Sequence, residues 1–134
     1  GRNVLDKIRA GTAQRISKPG HVFSRIHVAD IVSVLHASIL RPRTGAVYNV
    51  CDNEPCSQDQ VVAYGCEILG EALPQLVNFE DIVGDMSAMA RSFWLDRRLV
   101  SNRLIRDELK VDLHFPTYRE GLQSLVNETI RVMT

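Results

Sequence analysis

The sequence lacks the glycine patterns that hold nucleotide phosphates. Its eight glycines are scattered singly, with neither a GxGxxG nor a GxxxxGK[ST] arrangement. Such patterns let backbone N–H groups approach phosphate oxygens closely. We therefore find no phosphate-binding loop in this sequence, and we expect the chain alone to hold no nicotinamide cofactor.

Catalytic and metal-binding patterns are missing as well. No GxSxG arrangement marks a nucleophilic serine. The four histidines have no partner ligands at the spacing of a zinc site. We therefore predict no catalytic residue and no metal ligand in this chain.

Charge of one sign, paired cysteines and long apolar runs are also scarce. The formal net charge at pH 7 is zero, whereas nucleic acids and acidic membranes favour strongly basic partners. No apolar run approaches membrane-spanning length, and we expect no signal peptide. Three cysteines without paired spacing indicate reduced thiols rather than a disulfide framework. These features predict a cytoplasmic protein without nucleic-acid or membrane partners.

What is present suits one packed domain over 1–134. Hydrophobic residues make up 45% of the chain and charged residues 24%, which favours a folded core over disorder. Short β-type segments alternate with helical periodicities, an order typical of parallel strands joined by helices. The predicted strands are AQRISK at 13–18, AVYNVCD at 46–52, PQLVNFE at 74–80 and RRLVSN at 97–102.

The segment FSRIHVADIVSVLHASIL, residues 23–40, predicts a long amphipathic helix. Asp30 is expected to be its N-cap, because a side-chain carboxylate accepts the unpaired N–H groups of a first helical turn. His27 is expected to bond to nearby backbone, so we interpret this pair as structural rather than catalytic. Apolar residues at spacings of three and four give this helix one apolar face, which comprises Val28, Ile31, Leu35 and Ile39.

Two capping boxes predict the starts of further helices. Ser57 and Gln60 begin a helix that stops at Gly70. Thr117 and Glu120 begin the last helix. A helix is also predicted from Asn3 to Gly11, and Ser101 or Asn102 is the predicted cap of RLIRDELKV. The helix that begins at Ser57 has an apolar face of Val61, Tyr64 and Ile68. The last helix has an apolar face of Leu122, Leu125, Val126 and Ile130.

Three segments carry a family resemblance. FSRIHVADIV is similar to the IHV-x-D segment of extended short-chain dehydrogenases, the NAD(P)-dependent nucleotide-sugar epimerases and dehydratases. GAVYNVCDNEPCSQDQVVAYGCEILG resembles the family's G-x-x-YN(V/I) strand and the helix after it. DRRLVSNRLIRDELKVDLHFPTYREGLQSLV resembles its C-terminal segment, which includes P-(S/T)-(Y/F)-x-(E/D)-G-(L/I). The order and spacing agree over essentially the whole chain.

The resemblance covers only the family's C-terminal half. It implies an α/β fold, a small unit of short parallel strands alternating with helices that lacks the Rossmann core. The family's cofactor loop and YxxxK pair precede this half, and Tyr48, Tyr64 and Tyr118 have no Lys four residues later. Because that pair transfers the proton beside the nicotinamide, we expect a fragment or free-standing relic that is not catalytic alone. NAD or NADP would bind only if an upstream Rossmann part exists.

The resemblance also implies substrate-binding residues. Asn3 matches an asparagine that touches the nucleotide diphosphate, and Arg91 resembles an arginine that pairs with it. Arg15 and Ile16 match the strand that runs past the base. Arg25 lies two places after the position of the family's phosphate-clamping arginine. The residues alone also allow Asn3 as a helix cap, Arg15 as a strand-edge charge and Arg91 as a solvated side chain.

Two functions remain open at this stage. In the first, the chain is the substrate-binding portion of an epimerase/dehydratase-like protein, and its partner is a nucleotide-sugar or another anionic small molecule. In the second, it is a non-enzymatic ligand-binding or protein-interaction module that self-associates through apolar helix faces. In the family, the cofactor domain covers part of such faces, and the resemblance does not extend to that domain. We therefore expect a homodimer or larger assembly.

Overall fold

The computed structural model describes residues 3–133, which form two compact units. Within the described residues, the first unit comprises 3–23, Cys56–Arg98 and 122–133, and the second comprises Ser24–Pro55 and Leu99–Gly121. The single domain expected over 1–134 stays a prediction, because compactness alone does not decide whether the two units fold independently.

The first unit combines a two-stranded parallel sheet with helices. Strands β1 and β2 pair in the register Ile16↔Val77, so two of the four predicted strands form, and in the predicted parallel sense. Its elements are α1 Val4–Arg9, β1 Arg15–Ser17, α3 Gln58–Leu69, β2 Leu76–Asn78, α4 Phe79–Ile82, a 3-10 turn Val83–Asp85 and α5 Ala88–Leu95. The last helix, α7, spans Tyr118–Met133 and contributes its later turns to this unit.

Helix α3 begins and ends as the sequence predicts. The backbone N–H and the hydroxyl of Ser57 both donate to Gln60 Oε1, at 3.1 and 3.0 Å. Gly70 closes the helix at a φ of 68°, a left-handed conformation that glycine adopts without strain. Of the predicted apolar face, Val61 is buried and Tyr64 and Ile68 are half-buried. Val62 and Cys66 add a further buried side, which packs against Ile8 of α1.

An aromatic cluster forms a second core in the first unit. Ile16, Phe23, Phe79 and Trp94 pack together, with Ile82, Val83 and Met86 at their edge. This cluster joins the sheet to α4 and α5. Within the segment 81–90, residues 81–82 and 88–90 are α-helical and 83–85 form the 3-10 turn.

The second unit is built on α2, Val28–Leu40, and α6, Arg103–Asp107. Here the predicted N-cap is wrong. His27 is the N-cap. Its Nδ1 accepts the backbone N–H of Ala29 at 3.1 Å, so the expected bond between His27 and nearby backbone is confirmed. Asp30 lies inside the first turn and is fully buried, because it binds the backbone of residues 114–115 instead.

Helix α2 has apolar residues on two sides. The core of this unit takes Val34 and Ala37 from α2, packed against Ile105, Leu109 and Val111. The apolar face that the spacing predicts lies on the opposite side of the helix and is exposed: Val28, Ile31, Leu35 and Ile39.

Two predicted strands do not form within the described residues. Residues 46–52 carry alternating burial up to position 50, as a strand would, but pair with no neighbouring strand among residues 3–133. Residues 97–102 are likewise irregular. A β-ladder needs a partner to satisfy its backbone groups, and neither segment has one here.

The caps near the other helices mostly agree with the sequence. Asn102 occupies the N-cap of α6, and the Ser101 hydroxyl accepts the N–H of Arg103 at 3.3 Å. The N–H of Thr117 donates to Glu120 at 3.0 Å just before α7. Along α7, Leu122 and Val126 are buried while Ile130 is exposed.

No helix within residues 3–133 is both long and apolar enough to cross a membrane. The architecture is mixed α/β with a short parallel sheet, so the predicted fold class is confirmed.

Candidate functional site

The residues expected to bind substrate fall into both units. Asn3, Arg15, Ile16 and Arg91 belong to the first unit, and Arg25 belongs to the second. The first unit therefore carries four of the five candidates, and we treat it as the candidate ligand-binding unit.

Asn3 has a structural role at the start of α1. Its Oδ1 accepts the backbone N–H of Asp6 at 2.9 Å, so it is the N-cap of this six-residue helix. Its side chain is exposed, and the amide Nδ2 has no hydrogen bond to another described residue. Capping therefore leaves a donor of Asn3 available to an acidic ligand.

Arg15 and Ile16 lie on β1, where they play different parts. The side chain of Ile16 is in the aromatic core, and its N–H donates to Gln58 Oε1 at 2.8 Å. Gln58 also donates to the carbonyl of Gln14 at 2.7 Å, so it fastens the start of α3 to β1. Ile16 thus holds the strand in place. It offers a ligand neither its side chain nor its N–H.

The guanidinium of Arg15 is partly withdrawn from solvent. Its Nε is buried without a hydrogen-bond partner among residues 3–133. Burial raises the pKa of the Cys66 thiol, Glu71 adds to the rise, and the positive charge of Arg15 opposes it. Because Nε is buried, an anionic ligand could reach Arg15 only through the Nη groups of its guanidinium.

Arg91 lies on α5 beside the aromatic cluster. Its Nη2 donates to the carbonyls of Gly84 and Met86 at 3.4 and 3.5 Å, both long contacts. The guanidinium is exposed and is loosely held by backbone rather than by a carboxylate. Its charge is therefore not cancelled by a close acidic partner in these contacts.

Arg25 lies beside a buried carboxyl in the second unit. Its carbonyl accepts the backbone N–H of Asp52 at 2.6 Å. Burial raises the pKa of Asp52 to about 6, while the N–H of Glu54 and the charge of Arg25 act in the opposite direction. The positive charge of Arg25 thus partly offsets the rise in the pKa of Asp52, a role that the resemblance does not imply.

Lys18 and His21 are polar residues of the first unit that sequence patterns did not identify. The ammonium of Lys18 donates to the carbonyl of Trp94 and lies 4.4 Å from the centroid of the Phe79 ring. The His21 ring stacks on Trp94 with centroids 5.2 Å apart, and its Nε2 lies 3.2 Å from the carbonyl of Asp96. Burial, reinforced by Lys18, lowers the pKa of His21.

A pocket of about 320 Å³ lies at the end of α1, away from the predicted site. None of the five predicted residues lines it. Glu71 supplies its charge, and the C-terminus of α1 adds negative dipole, so an anion is disfavoured there. Its lining residues are Ile8, Gly11, Ala13, Glu71, Ala72, Leu73 and Pro74.

Among residues 3–133, no group of His, Cys, Asp and Glu has the geometry of a metal site. The three cysteines are buried free thiols.

The fold defines the class of protein to which this chain is similar. Its structure aligns with a dTDP-glucose 4,6-dehydratase from Bacillus anthracis strain Ames, solved in complex with NAD. The TM-score is 0.65 at 19% identity, over 96% of this chain and 37% of the dehydratase chain. The chain therefore has a fold like that of short-chain dehydrogenases, in agreement with the resemblance of its sequence.

A second solved structure is much more similar in sequence. It is a functionally unknown conserved protein from Silicibacter pomeroyi DSS, with a TM-score of 0.89 and 48% identity over 96% of this chain. This chain spans 45% of that protein's length. No protein-family model and no curated protein matches the chain.

Proposed function

We propose that this chain is the substrate-binding portion of an NAD(P)-dependent epimerase/dehydratase-like protein. The observation that supports it is the alignment of nearly the whole chain with one segment of a nucleotide-sugar dehydratase. The family resemblance of three sequence segments points the same way. The chain contributes binding rather than proton or hydride transfer, because it has no YxxxK pair.

The ligand in this proposal is an anionic, nucleotide-linked small molecule. Arg15 and Arg91 supply the positive charge, and the amide of Asn3 supplies a further donor. Arginine suits this task because its planar fork matches phosphate oxygens. Arg25 would contact the ligand only in the assembled protein. NAD or NADP would be held by a Rossmann part outside this sequence, and a reducing cytoplasm would keep the buried thiols free.

Calorimetric titration with dTDP-glucose tests the proposal. We expect measurable binding by the wild-type chain, weakened about fivefold or more by Arg91→Ala through the loss of a charge-assisted contact. Arg103→Ala is the matched control, because it removes an exposed helical arginine whose partner is Asp107. Absence of binding in the wild type, or equal weakening by both variants, would contradict the assigned site.

The same titration with NAD and NADP tests the cofactor part of the proposal. We expect no heat of binding from either dinucleotide, because the chain has no glycine-rich loop and no ribose-binding acid after one. Micromolar affinity for either cofactor would show that this chain holds more of the site than we assign to it.

The alternative is a protein-interaction module without an enzymatic role. It is favoured by one observation, the exposed apolar side of α2. This side would need a partner whichever function the first unit has.

A further inference from the structure

A proline–glycine turn carries His21 into the aromatic cluster of the first unit. The turn closes with the backbone N–H of His21 donating to the carbonyl of Lys18 at 3.0 Å. Pro19 and Gly20 occupy its two central positions, and Gly20 has a φ of 71°, an arrangement typical of a type II turn. Local backbone geometry therefore places the imidazole, and only 6% of His21 is exposed.

The His21 ring packs against aromatic rings on two sides. It stacks on the indole of Trp94 with ring centroids 5.2 Å apart, and it meets the ring of Phe23 edge to face at 4.5 Å. Trp94 is buried and is the only tryptophan of the chain. The fluorescence of Trp94 therefore reports whether this packing is intact.

The hydrogen bonding of the His21 ring defines its neutral form. Nε2 lies 3.2 Å from the carbonyl of Asp96, and because a carbonyl only accepts, the ring proton lies on Nε2. Nδ1 then carries a lone pair. This atom is buried and has no hydrogen-bond partner among residues 3–133. A proton added at Nδ1 would therefore be a buried donor without an acceptor.

Lys18 places a positive charge beside the same rings. Its ammonium donates to the carbonyl of Trp94 and lies 4.4 Å from the centroid of the Phe79 ring. Aromatic faces attract cations, and here Lys18 already supplies one to the cluster. An imidazolium at His21 would add a second charge of the same sign.

The other charged groups near His21 do not offset this repulsion. Arg97 acts in the same direction as Lys18. The carboxylate of Asp96 is exposed and lies 3.5 Å from the guanidinium of Arg98. On α5, the residue against the ring is the uncharged Trp94. Burial, followed by the charge of Lys18, lowers the pKa of His21 below its ordinary value of 6.5, although the carbonyls of Asp96 and Trp94 act in the opposite direction.

We propose that His21 is an acid-sensitive switch of the first unit, in which protonation at Nδ1 releases the turn Lys18–His21 from Trp94. Neutral His21 holds the turn on α5, and the imidazolium leaves the aromatic cluster for solvent. The turn directly follows β1, which carries Arg15, and α5 carries Arg91. Under the proposed function the switch would act on elements that carry two ligand-binding candidates, but the switch itself does not depend on that function.

The direction of the pH dependence follows from the lowered pKa of His21. In the released turn the imidazole has its ordinary pKa of 6.5, and in the packed turn it binds the proton more weakly. The packed form is therefore fully favoured above pH 6.5 and becomes less favoured as the pH falls below that value.

Fluorescence of Trp94 between about pH 4 and 8 tests the switch. In the wild type we expect the emission maximum to move reversibly to longer wavelength below pH 6.5, because the indole becomes exposed. His21→Phe keeps an aromatic ring without a titrating nitrogen and should show no shift. His36→Phe, at an exposed histidine of the second unit, is the matched control and should shift as the wild type does.

Three results of this experiment would overturn the switch. They are a constant emission maximum in the wild type, the same shift in His21→Phe, and a loss of intensity without a shift, which would mean that the imidazolium stays stacked on Trp94. Circular dichroism at each pH separates local release from unfolding, and loss of helix together with the shift would also contradict the proposal.

Nuclear magnetic resonance of the histidine rings tests the switch in the wild type without any substitution. We expect the neutral His21 ring to carry its proton on Nε2 and to titrate below pH 6.5. A proton on Nδ1 of the neutral ring, or titration at or above pH 6.5, would overturn the switch.

Discussion

At the scale of single residues, Asp30 connects two distant segments of the second unit. Its carboxylate accepts the backbone N–H groups of His114 and Phe115 at 2.8 and 3.0 Å, and it also lies 3.2 Å from His114 Nδ1. It sits in the first turn of α2, where the helix dipole favours negative charge. Residues 111–115 pair with no strand among the described residues. The Asp30 carboxylate instead accepts two of their backbone N–H groups.

This arrangement predicts a large effect of Asp30→Ala. Two backbone N–H groups would lose a charged acceptor, so we expect the free energy of unfolding to fall by about 3 kcal/mol. Asp30→Asn keeps one acceptor oxygen and should lose less. The comparison is His27→Ala, which removes the true N-cap and should lower stability by about 1 kcal/mol. Urea unfolding of the three variants measures the order, and equal losses for Asp30→Ala and His27→Ala would contradict the bridging role.

Asp52 is a buried carboxyl whose ionisation opposes folding. Burial is the main reason that the pKa of this carboxyl rises from its ordinary value of 3.8 to about 6. The folded state therefore binds this proton more tightly than the unfolded state. Its contribution to stability is favourable below about pH 4 and is lost as the pH rises through about 6.

We therefore predict that Asp52→Asn stabilises the protein at neutral pH. The gain over wild type should be at most about 3 kcal/mol at pH 7.5 and should shrink toward zero below pH 4. Asp107→Asn, at an exposed position on α6, is the control for removing one negative charge. Urea unfolding between pH 4 and 8 gives the profile. A gain for Asp52→Asn that is independent of pH would show that burial of the charge is not its cause.

At the scale of helices and strands, α2 shows what periodicity leaves undecided. The spacing of its apolar residues predicts the helix, and the structure confirms one over Val28–Leu40. The same helix has apolar residues on two sides, because Val34 and Ala37 continue the pattern around it. Periodicity cannot tell which of two apolar sides faces the core. That choice depends on the residues that α6 and the 109–113 segment bring to it.

The unpaired segment 46–52 shows a similar limit. Its Val and Tyr content predicts a strand, and Tyr48 and Val50 do pack on the core of the second unit. Backbone pairing is a property of two segments, so composition along one of them cannot predict it. Capping boxes were predicted more reliably, because Ser57 and Gln60 satisfy each other within four residues of chain.

The candidate site could be predicted only in part for the same reason. A family pattern assigns Arg15 and Arg91 by position, and the structure places both in the first unit. The withdrawal of Ile16 into the aromatic core, and the contacts of Lys18 with Phe79 and Trp94, depend on packing across about 75 residues of chain. Such contacts leave no local signature in the sequence.

At the scale of the whole molecule, the exposed apolar side of α2 bears on assembly. The chain matches 45% of one solved structure and 37% of another, so these longer proteins contain further surface that can cover apolar faces. Either such surface or a second copy would cover the exposed apolar side of α2. The charged contacts of the second unit, such as Arg43 with Glu108 and Arg119 with Glu54, are already formed within the unit.

The dimer is therefore predicted to be insensitive to salt. Salt screens exposed charges over about 3 Å at 1 M, but apolar contact carries no charge to screen. Between 0.05 and 1 M sodium chloride, we expect the dissociation constant from sedimentation to change by less than about threefold. A dimer that dissociates as the salt concentration rises would show that charged side chains, rather than apolar helix faces, hold it together.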